Sequence, residues 1–346
     1  MRVLVTGAGG FIGSQIAAQL VERGDEVVGV DAYIPEAHSA DVVVPAGMHR
    51  VDVRDARGWT HLLQGVDAVC HQAAMVGAGV TVADMPLYAG HNDLGTAALL
   101  AAMSDRGIDS LVLASSMVVY GEGRYVCEVH GSRSAAARTR ESLDEGDFEN
   151  HCPVCYRPMG WELVPEDAVL DPRSSYAASK LAQEHYTNAW ARQAGARAIA
   201  LRYHNVYGPG MPRDTPYSGV AAIFRSSLEG GRAPRVFEDG GQMRDFVHVS
   251  DVARANVLSL DAVVGRVPES FAAYNVCSGT PIPIRRVADV LAEASGGPAP
   301  EVTGEYRLGD VRHIVASPEL ARRDLGFDAQ VSPSAGIAEF ATAPLR

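Results

Sequence analysis

Arg2-Val3-Leu4-Val5-Thr6-Gly7-Ala8-Gly9-Gly10-Phe11-Ile12-Gly13 is the stretch that decides the fold. Residues 2–6 read as a short buried strand, and the run 14–23, stopped by Gly24, reads as a helix. Between them, Gly7, Gly10 and Gly13 have the spacing of a dinucleotide-binding turn. Such a turn needs a tight bend, a backbone that can approach a pyrophosphate, and close packing of helix on strand. The next apolar strand, 26–30, runs into Asp31, whose carboxylate would accept from ribose hydroxyls and repel a 2′-phosphate. These residues imply an α/β chain with a Rossmann-like doubly wound parallel sheet and NAD as cofactor; Phe11 and Ile12, at the helix start, count among the binding residues. Asp52-Val53, after a further short strand, is expected to flank the adenine. Strand 68–70 leads into His71-Gln72-Ala73-Ala74, and strand 111–116 ends in Ser115-Ser116. Ligands of such sheets lie at strand carboxyl ends, which puts Gln72, Ala73 and Ala74 beside the cofactor.

Composition narrows the function classes. With 346 residues, 47% of them hydrophobic, the chain can bury a Rossmann-sized core and a smaller lobe. A formal charge of −12, without a long basic block, argues against nucleic acid or an anionic membrane as partner. The start runs directly into a strand, no apolar stretch is long enough to span a bilayer, and a cytoplasmic location is expected. In that compartment the five cysteines are not expected to form disulfides, and Cys70 and Cys277 read as packed core thiols.

Tyr176-Ala177-Ala178-Ser179-Lys180 places a phenol and an ammonium on one helix face. A lysine so placed is expected to favour the phenolate and bring the tyrosine pKa toward neutrality, making it an acid/base group for alcohol oxidation. With Thr6 to Gly13, Asp31, His71 to Ala74, Asn92-Asp93-Leu94-Gly95-Thr96, Ser115-Ser116-Met117-Val118-Val119-Tyr120-Gly121, Leu201-Arg202-Tyr203-His204-Asn205-Val206-Tyr207-Gly208 and Arg244-Asp245-Phe246-Val247-His248-Val249, the chain resembles the extended short-chain dehydrogenase/reductase family, in particular its nucleotide-sugar epimerases. The resemblance covers nearly the whole chain. It implies that Ser116 orients the reacting hydroxyl, that Tyr176 is the acid/base, and that Lys180 holds the nicotinamide ribose. It puts Asn92 and His204 near the cofactor, although the family usually has Phe at the latter position. It also places Asn205, Val220, Phe237, Arg244, Arg307 and Asp310 around the diphosphate, ribose and base of a nucleotide-sugar substrate, and it implies a homodimer.

Family members that dehydrate a 4-keto sugar carry Asp-Glu directly after the hydroxyl residue; here those positions are Met117 and Val118. The expectation is therefore a 4-epimerase, in which C4 is oxidised, the 4-keto sugar turns over, and hydride returns to its other face. Small or apolar residues, Met75, Gly77, Met117 and Val118, are expected in front of the sugar. Two alternatives are a one-way 4-keto-sugar reductase, disfavoured by Asp31, and a catalytically silent NAD-sensing scaffold, disfavoured by the intact Ser116, Tyr176 and Lys180.

Between Gly121 and Tyr176 the chain is longer than the family requires. The added segment holds Cys127-x-x-His130 and Cys152-Pro153-Val154-Cys155, two close pairs suited to a tetrahedral structural zinc. A redox Cys-x-x-Cys pair is the alternative, but its usual thioredoxin-like setting is absent. Such an insertion, and the run Pro216-Tyr217-Ser218-Gly219-Val220-Ala221-Ala222-Ile223-Phe224, are similar to dTDP-L-rhamnose 4-epimerase-like members of the family. A dTDP-6-deoxyhexose is the substrate this implies, with a UDP-hexose or UDP-uronic acid open. The expected units are an NAD-binding domain at 1–204 joined by 247–280, a zinc insertion at 122–165, and a substrate lobe from 205–246 and 281–346.

Overall fold

A computed structural model describes residues 1–35, 38, 44–77, 81–213 and 219–346; the stretch 216–218 singled out in the sequence lies outside them. Seven strands form the central sheet: β1 (Arg2–Thr6), β2 (Glu26–Asp31), β3 (Met48–Arg50), β4 (Ala68–His71), β5 (Ser110–Ser116), β6 (Arg197–Tyr203) and β7 (Ser270–Val276). All pairs are parallel and the order is β3-β2-β1-β4-β5-β6-β7. The sheet is doubly wound, and the direction of winding reverses between β1 and β4, which places the crevice of the fold at their carboxyl ends. Continuous apolar runs such as Val3-Leu4-Val5 and Leu111-Val112-Leu113 are fully buried because helices cover both faces. Phe11–Arg23 and Val249–Val264 pack on one face, Gly95–Asp105 and Ser175–Ala194 on the other.

A second core gathers Tyr207, Phe224, Phe246, Leu291 and Phe340, under the helices Val220–Glu229, Ile284–Ser295 and Pro333–Phe340. Phe11 packs against this core, so the start of the dinucleotide helix is wedged between the sheet and the smaller lobe. The sequence suggests a strand over 274–277 carrying Cys277; the strand in the structure is Ser270–Val276, longer and earlier, because its first half is only partly covered and lacks a strong apolar signal. Phe237 lies just after the short strand Arg235–Val236, which pairs with Glu301–Val302. Residues 124–162 contain a separate antiparallel sheet, Gly131–Arg133 and Gly160–Glu162 flanking Arg124–Cys127.

The glycine turn is closed by contact, not only by conformation. A Cβ on Gly13 would lie 2.0 Å from the Gly7 carbonyl oxygen, and one on Gly7, at φ 67°, would lie 2.7 Å from the Ala73 nitrogen. Both obstacles are backbone, so they cannot swing aside. Gly13→Ala is expected to destabilise the protein by about 1–3 kcal/mol through overpacking; urea unfolding measures this, and an unchanged midpoint would show that helix and turn separate freely.

Candidate active site

The amides of the first turn of Phe11–Arg23 follow Gly10, an N-cap with no side chain to satisfy them. Asp31 stands beside this turn. Its carboxylate accepts from the Gly9 N–H at 3.0 Å and the Tyr33 N–H at 2.8 Å. Burial pushes its pKa up, but His38 and these amides outweigh burial and hold it below the usual carboxylate range. An ionised Asp31 next to free helix-start amides suits a dinucleotide with unmodified ribose hydroxyls. Asp52 sits one strand further, paired with Arg54 at 2.6 Å, and Val53 packs into the core below.

Two expected cofactor contacts are engaged inside the protein instead. The Asn92 amide accepts from the Met75 N–H at 2.7 Å and donates to the Met75 carbonyl at 3.0 Å and the Ser179 hydroxyl at 2.8 Å. It is a strut between the loop after β4 and the helix of Tyr176. The Gln72 side chain donates to Asn256 Oδ1 at 3.0 Å and accepts from the Tyr203 hydroxyl at 3.1 Å. Only its backbone faces the turn, where Gln72 and Ala73 N–H groups each donate to the Thr6 hydroxyl at 3.1 Å. Ala74 follows them at the β4 end, before Met75.

The helix Ser175–Ala194 brings Tyr176 and Lys180 to the end of β5, where the Ser116 hydroxyl lies close enough to the phenol to lower its pKa. Lys180 Nζ lies 6.0 Å from the Tyr176 ring centre and donates to the Ala114 carbonyl at 2.9 Å. The expected electrostatics are reversed here. Burial raises the Tyr176 pKa to about 12, with Ser116 pulling it down and nearby Tyr88 pushing it up, while burial lowers Lys180 to about 7 against the pull of Glu184. Lys180 does not bring Tyr176 toward neutrality because burial takes charge away from both groups at once. No carboxylate is among the groups that shift Tyr176. Met117 and Val118 occupy the 3-10 turn Met117–Tyr120 beside it.

Sequence reasoning missed the supports of this pair. Arg202 on β6 clasps Glu184 with 3.0 and 2.8 Å hydrogen bonds, and Ser115 donates to the same carboxylate. Arg202 also reaches the Tyr120 hydroxyl and the Glu166 carbonyl, each at 2.9 Å. His71 bridges the Thr6 and Thr96 hydroxyls at 2.7 and 3.0 Å, and burial lowers its pKa to about 3, so it is a neutral brace. Neither arrangement has a spacing signal, since the partners lie far apart in the chain.

In the smaller lobe the structure brings Phe237, Arg244, Arg307 and Asp310 together. The Arg307 guanidinium lies 5.2 Å from the Phe237 ring centre, and the pKa of Asp310, raised by burial, is pulled down by Arg244 and Arg307. Arg244 donates to the Met243 and Arg312 carbonyls, each at 2.9 Å, and to the Val311 carbonyl at 2.6 Å. Neutral carbonyls hold the side chain without cancelling its charge, which leaves it suited to an anionic group such as a diphosphate. Asn205 opens the strand Asn205–Tyr207 with its Oδ1 buried and lacking a partner among the described residues, and Val220 opens the helix Val220–Glu229.

Cys127, His130, Cys152 and Cys155 converge so that their ligand atoms all lie within 4.8 Å of one another. Cys127 Sγ is 3.6 Å from Cys155 Sγ and 3.7 Å from His130 Nδ1, and Cys152 Sγ is 3.5 Å from the same nitrogen. With zinc–sulfur bonds of about 2.3 Å and zinc–nitrogen bonds of about 2.0 Å, tetrahedral ligands would lie about 3.5–3.8 Å apart. The donor set fits that ion. Backbone N–H groups of Val129 and His130 donate to the Cys127 sulfur, orienting it.

Residues 3–140 and 158–277 match the NAD dependent epimerase/dehydratase family; the intervening 141–157 carries Cys152 and Cys155. The chain is 33% identical over 354 residues to dTDP-L-rhamnose 4-epimerase of Burkholderia thailandensis, covering 99% of this chain and 94% of the relative. It is 31% identical to UDP-glucose 4-epimerase of Mycolicibacterium smegmatis, covering 98% and 97%. Among solved structures it is similar to the UDP-glucose 4-epimerase of Thermus thermophilus in complex with NAD, at 33% identity and a TM-score of 0.74, covering 99% and 98%. Matched in sequence over almost its entire length and in fold, the chain belongs to the NAD dependent epimerase/dehydratase family, the epimerase branch of the extended short-chain dehydrogenases/reductases.

Proposed function

We propose that this NAD-dependent sugar-nucleotide epimerase inverts C4 of a nucleotide-linked hexose, with a dTDP-6-deoxyhexose as first choice of substrate and a UDP-hexose or UDP-uronic acid as second. The observation that carries the reading is the placement of the Tyr176 phenol at the end of β5, where the Ser116 hydroxyl lowers its pKa and no carboxylate acts on it. Acid/base chemistry at one hydroxyl is provided for, and the extra acid and base that dehydration needs are not. Bound NAD supplies a reversible hydride acceptor, held by the helix-start amides of the glycine turn, by Asp31 and by Lys180. The chain's own part is the proton. Tyr176 takes it from the sugar 4-hydroxyl, which Ser116 orients, and gives it back after the 4-keto sugar has turned over. Positive charge brought next to the phenol on binding would lower its pKa from about 12, which the protein groups alone do not achieve. Arg244 and Arg307 hold the diphosphate while the sugar turns, and Asn205, Val220, Phe237 and Asp310 complete the nucleotide pocket.

The preference for dTDP rests on the 33% identity to a dTDP-L-rhamnose 4-epimerase. We further read the Cys127, His130, Cys152 and Cys155 cluster as a structural zinc site, since four protein donors leave no position for a reacting water. The insertion has a core of only a few buried residues, chiefly Tyr125, Ala135 and Met159 beside the cysteines, so metal would supply folding free energy that burial does not. A homodimer packed through Ser175–Ala194 and its neighbouring helix completes the proposal.

Three outcomes are expected. Incubated with dTDP- and UDP-sugars without added cofactor, the purified protein interconverts C4 epimers; a strict need for NADPH would instead point to a reductase. Tyr176→Phe lowers kcat by about 10²–10⁴ with nucleotide binding retained, the usual worth of a positioned acid/base group; turnover at the parent rate would sink the mechanism. Metal analysis finds one zinc per chain, and Cys155→Ser loses it together with thermal stability. Metal-free protein of unchanged melting temperature would remove the site.

A further inference from the structure

His204 stands one residue past the last pairing of β6, where Tyr203 is matched to Ser116 of β5 and to Val276 of β7. Its backbone N–H donates to the Val276 carbonyl at 3.0 Å. The imidazole therefore belongs to the same row of strand ends as the catalytic serine. Arg202 points toward the helix of Tyr176, where it meets Glu184, and Tyr203 points to the opposite face, where its hydroxyl accepts from the Asn256 side-chain amide at 2.8 Å. Alternation along an extended chain returns His204 to the face of Arg202 and Tyr176.

The side chain is 3% exposed, and neither Nδ1 nor Nε2 has a hydrogen-bond partner among the described residues. The adjacent Asn205 Oδ1 is also buried and unmet. His71 shows that this fold can satisfy a buried imidazole when the ring serves as a brace: both of its nitrogens are engaged. Burial, reinforced by Arg244, lowers the His204 pKa to about 3, so the ring is neutral and offers one donor and one acceptor. A neutral ring of this kind is a poor partner for phosphate and a good one for an amide or a hydroxyl. Two unmet nitrogens also destabilise the free protein, a cost that an apolar ring of similar size would avoid.

We propose that His204 is a ligand-binding residue whose ring nitrogens hydrogen-bond a neutral donor–acceptor group at the strand ends, either the nicotinamide carboxamide of NAD or a hydroxyl of the sugar. The proposal rests on the reading that this site holds NAD and a nucleotide sugar. It separates the ligands by arm: loss of the carboxamide contact weakens NAD, whereas loss of a sugar contact weakens the nucleotide sugar but not its parent nucleoside diphosphate.

The test uses full-length His204→Phe and His204→Asn. Binding of NAD is titrated, UDP-glucose is compared with UDP, and dTDP-L-rhamnose with dTDP; thermal unfolding of each ligand-free protein is recorded. His204→Phe is expected to weaken one arm by about 5–30-fold, the scale of one or two hydrogen bonds, with an unfolding temperature equal to or above that of the parent. His204→Asn, which keeps a donor and an acceptor, is expected to recover most of the affinity. Both arms within twofold of the parent in His204→Phe would overturn the proposal, as would an Asn variant as weak as the Phe variant. Should His204→Phe fail to fold, ¹⁵N-histidine spectra of the parent protein decide: a buried ring nitrogen that shifts with neither ligand overturns it. A parent protein that binds neither NAD nor any of the nucleotides would instead bring down the functional reading itself.

Discussion

Glu184 and Arg202 form the joint on which the site is assembled. Both side chains are 4% exposed, and the guanidinium grips the carboxylate through two nitrogens. Tyr176, Lys180 and Glu184 are spaced four residues apart on one helix, so a grip on Glu184 sets the rotation of the whole face. Ser115, bonded to the same carboxylate, precedes Ser116 and fixes the strand end that the phenol must meet. A buried ion pair adds little net stability compared with apolar packing, but removing one partner leaves a charge stranded, at a cost of about 3–5 kcal/mol. In this fold the pair buys alignment of helix against sheet. Its remaining hydrogen bonds run through Tyr120 to Asn275 on β7, at 2.7 Å, so three strands and the helix of Tyr176 and Lys180 share one network.

The same burial explains why the acid/base pair differs from its sequence reading. Four-residue spacing promises an ammonium near a phenol, and the structure delivers the proximity. Charge state, however, follows solvation, and Lys180 is 3% exposed. Its carboxylate neighbour Glu184 is already neutralised by Arg202, so little of its field remains to keep the ammonium charged. The protein thus presents a neutral-leaning pair.

What the sequence disclosed was chemistry written in short segments: the glycine turn, Asp31, the Ser116 strand end, the Tyr176–Lys180 helix face and the two cysteine pairs. Each is legible because a few adjacent residues impose the geometry. Arg244, Arg307 and Asp310, which the structure brings together in the smaller lobe, were reached only by resemblance. The Asn92 and Gln72 amides show the limit of that route: both stand near the dinucleotide crevice, yet their side chains are consumed in holding Met75, Ser179, Tyr203 and Asn256. Whether an amide faces a ligand or the interior depends on partners 17 to 184 residues away. No local pattern records such a choice, and the same holds for the unmet ring of His204.

The segment 122–165 is joined to the smaller lobe by charge as well as by chain. Arg312, 1% exposed, contacts Glu149 of the insertion and Glu238 and Asp239 of the lobe, while Arg138 of the insertion pairs with Glu238 at 2.9 Å. His313 donates its backbone N–H to the Tyr125 hydroxyl at 3.0 Å and meets Glu149 through its ring. These contacts neutralise the acids of the 238–239 turn, next to Phe237 in the chain. Without that compensation, the Glu238 carboxylate, which acts on Arg244, would offset more of its charge. Arg244 in turn is fixed by the carbonyls of Val311 and Arg312, the segment the insertion clamps. The segment that brings Cys127, His130, Cys152 and Cys155 together therefore also packs, through Glu149 and Tyr125, on the carbonyl cradle that aims the arginine.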